Sequence, residues 1–245
     1  MEMNVFLAQG ATIAIHLIIS FINGLMVKHF HVRVNYTRKI NHFFLFFLPI
    51  FINSWLPYTH TMVSTFIGMG IMIGILGIYI EPIRHRFTWI GIAFLSFDRP
   101  EDRPYTLLWL TTQVIAGSIV IIPLYTYFYS IGMMQLIYIP ILINGIGDGL
   151  AEPVGIRFGK HYYKTRALFT KRRYVRTIEG SACVFITSIV SVVLFKELFS
   201  DLQFMAALFI IPVTMTIVEA ISPHTWDTPF LYGASGLSIY GIFMI

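Results

Sequence analysis

Residues 106–130 read TLLWLTTQVIAGSIVIIPLYTYFYS, a stretch of 25 residues with no Asp, Glu, Lys, Arg or His. The hydrocarbon core of a bilayer is about 30 Å thick, and a helix needs about 20 predominantly apolar residues to cross it. This stretch is therefore predicted to span a membrane. Further apolar segments lie at residues 5–27, 43–56, 62–80, 133–151, 177–194, 203–220 and 229–245. The segment at 43–56 is short for a span, so it either borrows Asn41 and His42 or sits in a thinner part of the protein. Residues 88–97 are shorter still and read as an interfacial or re-entrant helix. The expected fold is an all-α, multi-pass transmembrane helical bundle of about seven spans plus that one interfacial or re-entrant helix, forming a single integral membrane domain over residues 1–245.

Composition points the same way. Hydrophobic residues make up 56% of the chain and charged residues only 12%, against roughly 25% charged in soluble domains. The opening Met1-Glu2-Met3-Asn4 lacks the positive stretch of a secretory signal, so the first apolar segment is expected to be a retained helix.

Loops rich in Lys and Arg stay on the cytoplasmic side of a membrane, and here the charges are strongly clustered. Sixteen of the 17 Lys and Arg fall in three loops, at about 28–42, 81–105 and 157–176, leaving Lys196 elsewhere. If residues 88–97 do not cross, all three loops share one face with the turn at about 221–228. Both termini are then expected outside, with every charged constellation cytoplasmic. The net charge of +5 belongs mainly to these loops, where it favours anionic lipid headgroups or a nucleotide as partner. The basic loops carry no nucleic-acid-binding motif, so nucleic acid is not an expected partner. The single Cys183 excludes an intrachain disulfide, and no Cys/His spacing resembles a zinc site.

The chemistry-bearing stretch is Gly147-Asp148-Gly149-Leu150-Ala151-Glu152-Pro153-Val154-Gly155, followed by the basic run from Arg157 to Arg176 and by Glu179-Gly180-Ser181. Asp148 and Glu152 stand four apart and would share one face of a regular helix, but Pro153 disfavours helical geometry at Glu152 and clashes with the carbonyl of Gly149. The helix is therefore expected to break there. Carboxylates at a broken helix at membrane depth mark a functional site by default. The alternative is a pair of interfacial carboxylates salt-bridged to Arg157 or Lys160. Gly145, Gly147, Gly149, Gly155 and Gly159 either let backbone approach a phosphate or let helices pack closely in lipid. The run Gly155-Ile156-Arg157-Phe158-Gly159-Lys160-His161 is not a P-loop, since only three residues separate its glycines and His replaces Ser/Thr.

These blocks, Gly147 to Lys160 and Arg176-Thr177-Ile178-Glu179-Gly180-Ser181-Ala182-Cys183-Val184-Phe185, resemble the polyprenol kinase family of dolichol, phytol and farnesol kinases and CTP-dependent diacylglycerol kinases. Arg38-Lys39-Ile40-Asn41-His42 is similar to that family's Arg-Lys-x-x-His element, and Glu219 with Asp227-Thr228-Pro229 resembles its late Glu and Asp-Asn motif. The matching elements extend from Arg38 to Pro229, and the central block is the specific part. Glu152 stands where the family usually has Asp, Arg176 where it has Lys, and Thr228 where Asn often follows the Asp.

The resemblance implies a multi-pass enzyme that moves a phosphoryl group, usually from CTP with a divalent metal such as magnesium, onto the hydroxyl of a membrane lipid alcohol. Such transfer is mainly positioning and charge neutralisation, so it needs metal-holding carboxylates and cationic clamps. Asp148 is the first choice of metal ligand, with Glu152, Glu179 or Asp227 completing the shell. Candidates for nucleotide and phosphate contacts are Gly147, Gly149, Arg157, Lys160, Lys171, Arg172, Arg173 and Arg176, with Arg38, Lys39 and His42 from another helix. For about half of the basic residues between 157 and 176, plain positive-inside topology is the competing explanation. Asp148, Glu179 and Asp227 all stay eligible as catalytic base. Two rival functions are a cytidylyltransferase making a CDP-lipid and a transporter of an anionic metabolite. The first lacks its Gly-His-Gly-Gly and Asp-Arg-x-Asp signature here, and the second would place charges at mid-membrane rather than on one face.

Overall fold

The computed structural model describes residues 2–58, 61–168 and 171–245. The helices are α1 Glu2–Phe30, α2 Val34–Trp55, α3 Met62–Ile78, α4 Glu81–Arg86, α5 Thr88–Leu95, α6 Thr106–Ser130, α7 Tyr138–Leu142, α8 Gly149–Phe158, α9 Ile178–Leu194, α10 Asp201–Ile221 and α11 Asp227–Ile242. A two-stranded antiparallel ribbon, β1 Tyr162–Arg166 and β2 Arg173–Thr177, joins α8 to α9. The predominantly helical architecture agrees with the expectation. Four helical stretches are long and apolar enough to cross a membrane, at Asn4–Phe30, Thr106–Ser130, Met134–Phe158 and Asp201–Ile221. They mark the chain as a membrane protein.

The chain forms two compact units, Met1–Thr112 and Gln113–Ile245. In the first, α1 packs on α2, α3 and α5. Tyr79, Ile90, Ala93 and Phe94 form an apolar cluster against Leu17 and Phe21 of α1. A buried polar seam crosses the same unit. The Asn41 amide donates to Ser96 Oγ at 2.7 Å and its oxygen accepts from Asn23 at 3.0 Å, while Thr37 Oγ1 donates to the Ser96 carbonyl. In lipid, hydrogen bonds of this kind hold helices together where the hydrophobic effect does not act between them. α5 has eight residues and is about 12 Å long at 1.5 Å per residue, too short to cross.

Several expected loops are regular structure. Residues 28–42 are helical apart from a short link between Phe30 and Val34, so Arg38, Lys39 and His42 ride on the first turns of α2. Residues 81–105 hold α4, α5 and a single 3₁₀ turn at Pro100–Asp102. The charges after α5 bind one another: Arg99 pairs with Asp102 at 2.6 Å, while Asp98 accepts from Arg103 at 2.7 Å and from Thr106 at 2.8 Å. The basic stretch 157–176 folds as the ribbon, with residues 169 and 170 outside those described.

Two corrections concern the helices. Pro153 does not break its helix, because α8 runs from Gly149 through it to Phe158. The irregularity lies one turn earlier, as a π-helical turn over Ile143–Asp148. Proline clashes with the carbonyl four residues back, here that of Gly149, the first residue of α8, so the clash falls at the helix's edge beside the π-turn rather than in its interior. Two termini on one face also demand an even number of crossings, so seven spans and both termini outside exclude each other. α2 has 22 residues and is about 33 Å long.

Candidate functional site

In the second unit, α9 is the central element, packing on α8, α10 and the π-turn, and α10 packs on α11. Glycines set how closely these elements approach. A Cβ placed on Gly180 would lie 2.5 Å from the Ala151 carbonyl oxygen of α8, one on Gly155 would lie 2.5 Å from Thr177 Oγ1, and one on Gly147 would lie 3.1 Å from the Val184 Cα. Gly147 is thus a packing glycine between the π-turn and α9, and Gly149 is buried where α8 begins. Thr177 ends β2 and caps α9, its hydroxyl accepting from the Gly180 amide at 3.1 Å. Gly180→Ala is expected to cost about 1–3 kcal/mol through overpacking. Detergent-phase unfolding checks this, and an unshifted midpoint would contradict the close approach.

The ribbon's inner face is fixed against the turn after α10. Thr165 Oγ1 donates to the Ser222 carbonyl at 2.9 Å, the His224 amide donates to the Arg166 carbonyl at 2.8 Å, and the Tyr174 and His224 rings stack at 3.6 Å. This docking carries Arg176 of β2 over the end of α10 and the start of α11. Its guanidinium donates to both the backbone carbonyl and the carboxylate of Glu219 and lies 3.4 Å from Asp227 Oδ2. Glu219 Oε2 in turn accepts from Ser181 Oγ at 2.7 Å, and Ser181 is 2.6 Å from the Tyr163 hydroxyl. Asp227 Oδ1 accepts from its neighbour's amide, that of Thr228, at 3.1 Å and from Gln113 Nε2 at 3.3 Å. Thr228 Oγ1 accepts from Gln113 at 2.7 Å and from Asn144 of the π-turn at 3.3 Å.

Asp148, buried at the end of the π-turn, also acts on Arg176. Burial works against the guanidinium's charge, but the Glu219, Asp227 and Asp148 carboxylates outweigh it and hold Arg176 above its ordinary pKa. Burial likewise raises the Tyr163 hydroxyl, and the Glu219 charge adds to that. Arg176 therefore stays charged and Tyr163 stays protonated through the physiological range.

The structure thus joins Arg176 directly to Glu219 and Asp227, while Asp148 is buried nearby and acts on Arg176 through its charge. Glu179 is engaged differently: its carboxylate lies 2.7 Å from His161 Nδ1 and accepts from the His161 amide at 3.4 Å. Glu152 is half-buried one turn beyond Asp148. Of the six cations considered for a phosphate clamp, only Arg176 is drawn inward, while Arg157, Lys160, Lys171, Arg172 and Arg173 are exposed. Arg38, Lys39 and His42 belong to the first unit, where Lys39 is buried and the His42 ring lies 4.8 Å from that of Phe46. Tyr163, Ser181, Asn144 and Gln113 are members of the network that residue patterns did not single out as site residues. Ser181 stood inside the Glu-Gly-Ser triplet, its one visible signal.

No group of three His, Cys, Asp or Glu side chains among the described residues surrounds a common point, so they do not form a ready-made all-protein metal cage. Magnesium held together with nucleotide phosphates needs only one or two carboxylates. Comparison with protein-family models, with curated proteins and with solved structures finds no match.

Proposed function

We propose that this protein is a membrane lipid-alcohol kinase, transferring the γ-phosphate of a nucleoside triphosphate, CTP by its resemblance to polyprenol kinases, to the hydroxyl of an isoprenoid alcohol or similar lipid. One observation supports the proposal: Arg176, Glu219 and Asp227, from separate resembling segments far apart along the chain, meet in one buried charged cluster, and the charge of buried Asp148 acts on its arginine.

In the proposed reaction the acceptor oxygen bonds to the γ-phosphorus as the bond between that phosphorus and the β,γ-bridging oxygen breaks. The products are a lipid monophosphate, CDP and a proton. Asp148 and Asp227 would hold the magnesium, which would supply neutralisation of the β- and γ-phosphate charge. Arg176 orients Asp227 and Glu219 through its fork of donors. Exposed Arg157 and Lys160, at the end of α8, receive the outer phosphates. The proton from the acceptor hydroxyl passes to a carboxylate of the set Asp148, Glu179 and Asp227. The lipid enters sideways from the bilayer, and the site faces the cytoplasm.

Incubated with magnesium, CTP and a panel of farnesol, phytol, dolichol and diacylglycerol, the purified protein is expected to release CDP and form one lipid monophosphate per CDP. Release of pyrophosphate with a CDP-lipid would assign it to the cytidylyltransferases instead. A folded protein that consumes no nucleotide with any acceptor would remove the kinase proposal.

A further inference from the structure

The 20 residues from Arg157 to Arg176 contain eight Lys or Arg and no Asp or Glu. Strand alternation divides them by face. Thr165, Tyr174 and Arg176 turn inward to the contacts described above, whereas Tyr162, Lys164, Arg166, Arg173 and Val175 are exposed. The register sets Arg166 directly opposite Arg173 and Lys164 opposite Val175. Like charges directly opposite in an antiparallel pair destabilise it, a cost that an anion bound across the pair reverses. At the base of the ribbon, where α8 ends and α9 begins, Phe158, Tyr162, Val175 and Ile178 are each about three-fifths exposed or more. Both helices are apolar, and α8 closes one of the four stretches able to cross a membrane. An apolar and aromatic collar at a helix end, continued by cations, is the composition of a segment lying at headgroup level.

We propose that the outward face of this ribbon docks on the anionic phospholipid headgroups of the bilayer that holds α8 and α9, with Lys164, Arg166 and Arg173 as its contacts. This divides the ribbon's cations by function: the inward Arg176 serves the buried cluster, and the outward Lys164, Arg166 and Arg173 hold the ribbon against the membrane, which steadies the strand that carries Arg176. The inference needs only a membrane-embedded chain and holds whether or not the protein transfers phosphate.

The test is amide hydrogen exchange of the ribbon in nanodiscs of purely zwitterionic lipid and of lipid with a third anionic phosphatidylserine. Each cation near an anionic surface contributes about fivefold to the docking equilibrium. Ribbon amides are therefore expected to exchange at least tenfold more slowly in the anionic discs, and salt at about 1 M, where the screening length falls to about 3 Å, should erase the difference. In the triple variant K164Q/R166Q/R173Q the lipid dependence should vanish, with α9 and α10 exchanging as before. Equal exchange of the native ribbon in both lipids would overturn the proposal, and so would a lipid effect that survives in the triple variant. Slowing by CTP in zwitterionic discs, with no response to anionic lipid, would also overturn it and give these cations to the nucleotide. The salt dependence of the native protein decides the matter even if the variant folds poorly.

Discussion

Asp148→Asn is expected to lower phosphoryl transfer by at least about 10²–10³-fold, the usual loss when one preorganised electrostatic contact to a transition state is removed, while the protein stays folded. The substitution keeps the shape and a hydrogen-bonding oxygen but replaces a hard anionic donor with a neutral one, which magnesium holds less well. Folding should tolerate it because Asp148 is one of three carboxylates acting on Arg176, and Glu219 and Asp227 retain their direct contacts. Initial rates with CTP, compared with the detergent unfolding midpoint of the same sample, separate the two effects. A fully active Asp148→Asn protein would sink its assignment as metal ligand.

Arg176→Met is expected to produce the largest loss of stability, about 3–5 kcal/mol, because breaking a buried ion pair leaves its carboxylates uncompensated. The side chains of Arg176 and Glu219 are only 12% and 5% exposed, so water cannot solvate the orphaned charge. Glu219 would keep its bond from Ser181 but lose both its cation and the guanidinium tie to its own carbonyl. Adding Glu219→Gln to Arg176→Met should recover much of the loss, since the remaining amide no longer needs a counter-charge. A double-mutant cycle on unfolding midpoints measures this coupling, and additive effects of the two substitutions would contradict a direct pair.

The membrane character and the positions of most helices were legible because long uncharged runs such as 106–130 admit few other readings. Asp148, Arg176 and Asp227 were legible as motif residues, and Arg176 and Asp227 meet in the structure. The partners that tie them together were not. Gln113, Asn144 and Tyr163 sit in segments whose apolar or basic neighbours dominate the pattern, and their hydrogen bonds reach across tens of residues, where no local period operates. The ribbon was hidden for a related reason. In YYKTR and RYVRT the inward Tyr163, Thr165, Tyr174 and Arg176 alternate with outward residues at period two, the mark of a strand, but the density of positive charge reads first as a loop. Pro153 misled because its effect depends on the turn before it, and a π-turn cannot be foreseen from residue preferences. Glu179 looked like a member of the carboxylate set by its motif, yet β1 brings His161 to it and gives that carboxylate its own partner.

The most direct measurement of the central claim uses CTP labelled on the γ-phosphate with one isotope and on the base with another, supplied with magnesium and a lipid-alcohol panel to the protein in nanodiscs. The proposed kinase puts the γ-phosphate label into the lipid product and leaves all of the base label in the water-soluble CDP. Base label recovered in the lipid, or no γ-phosphate label in any lipid from a protein that is folded, would contradict it.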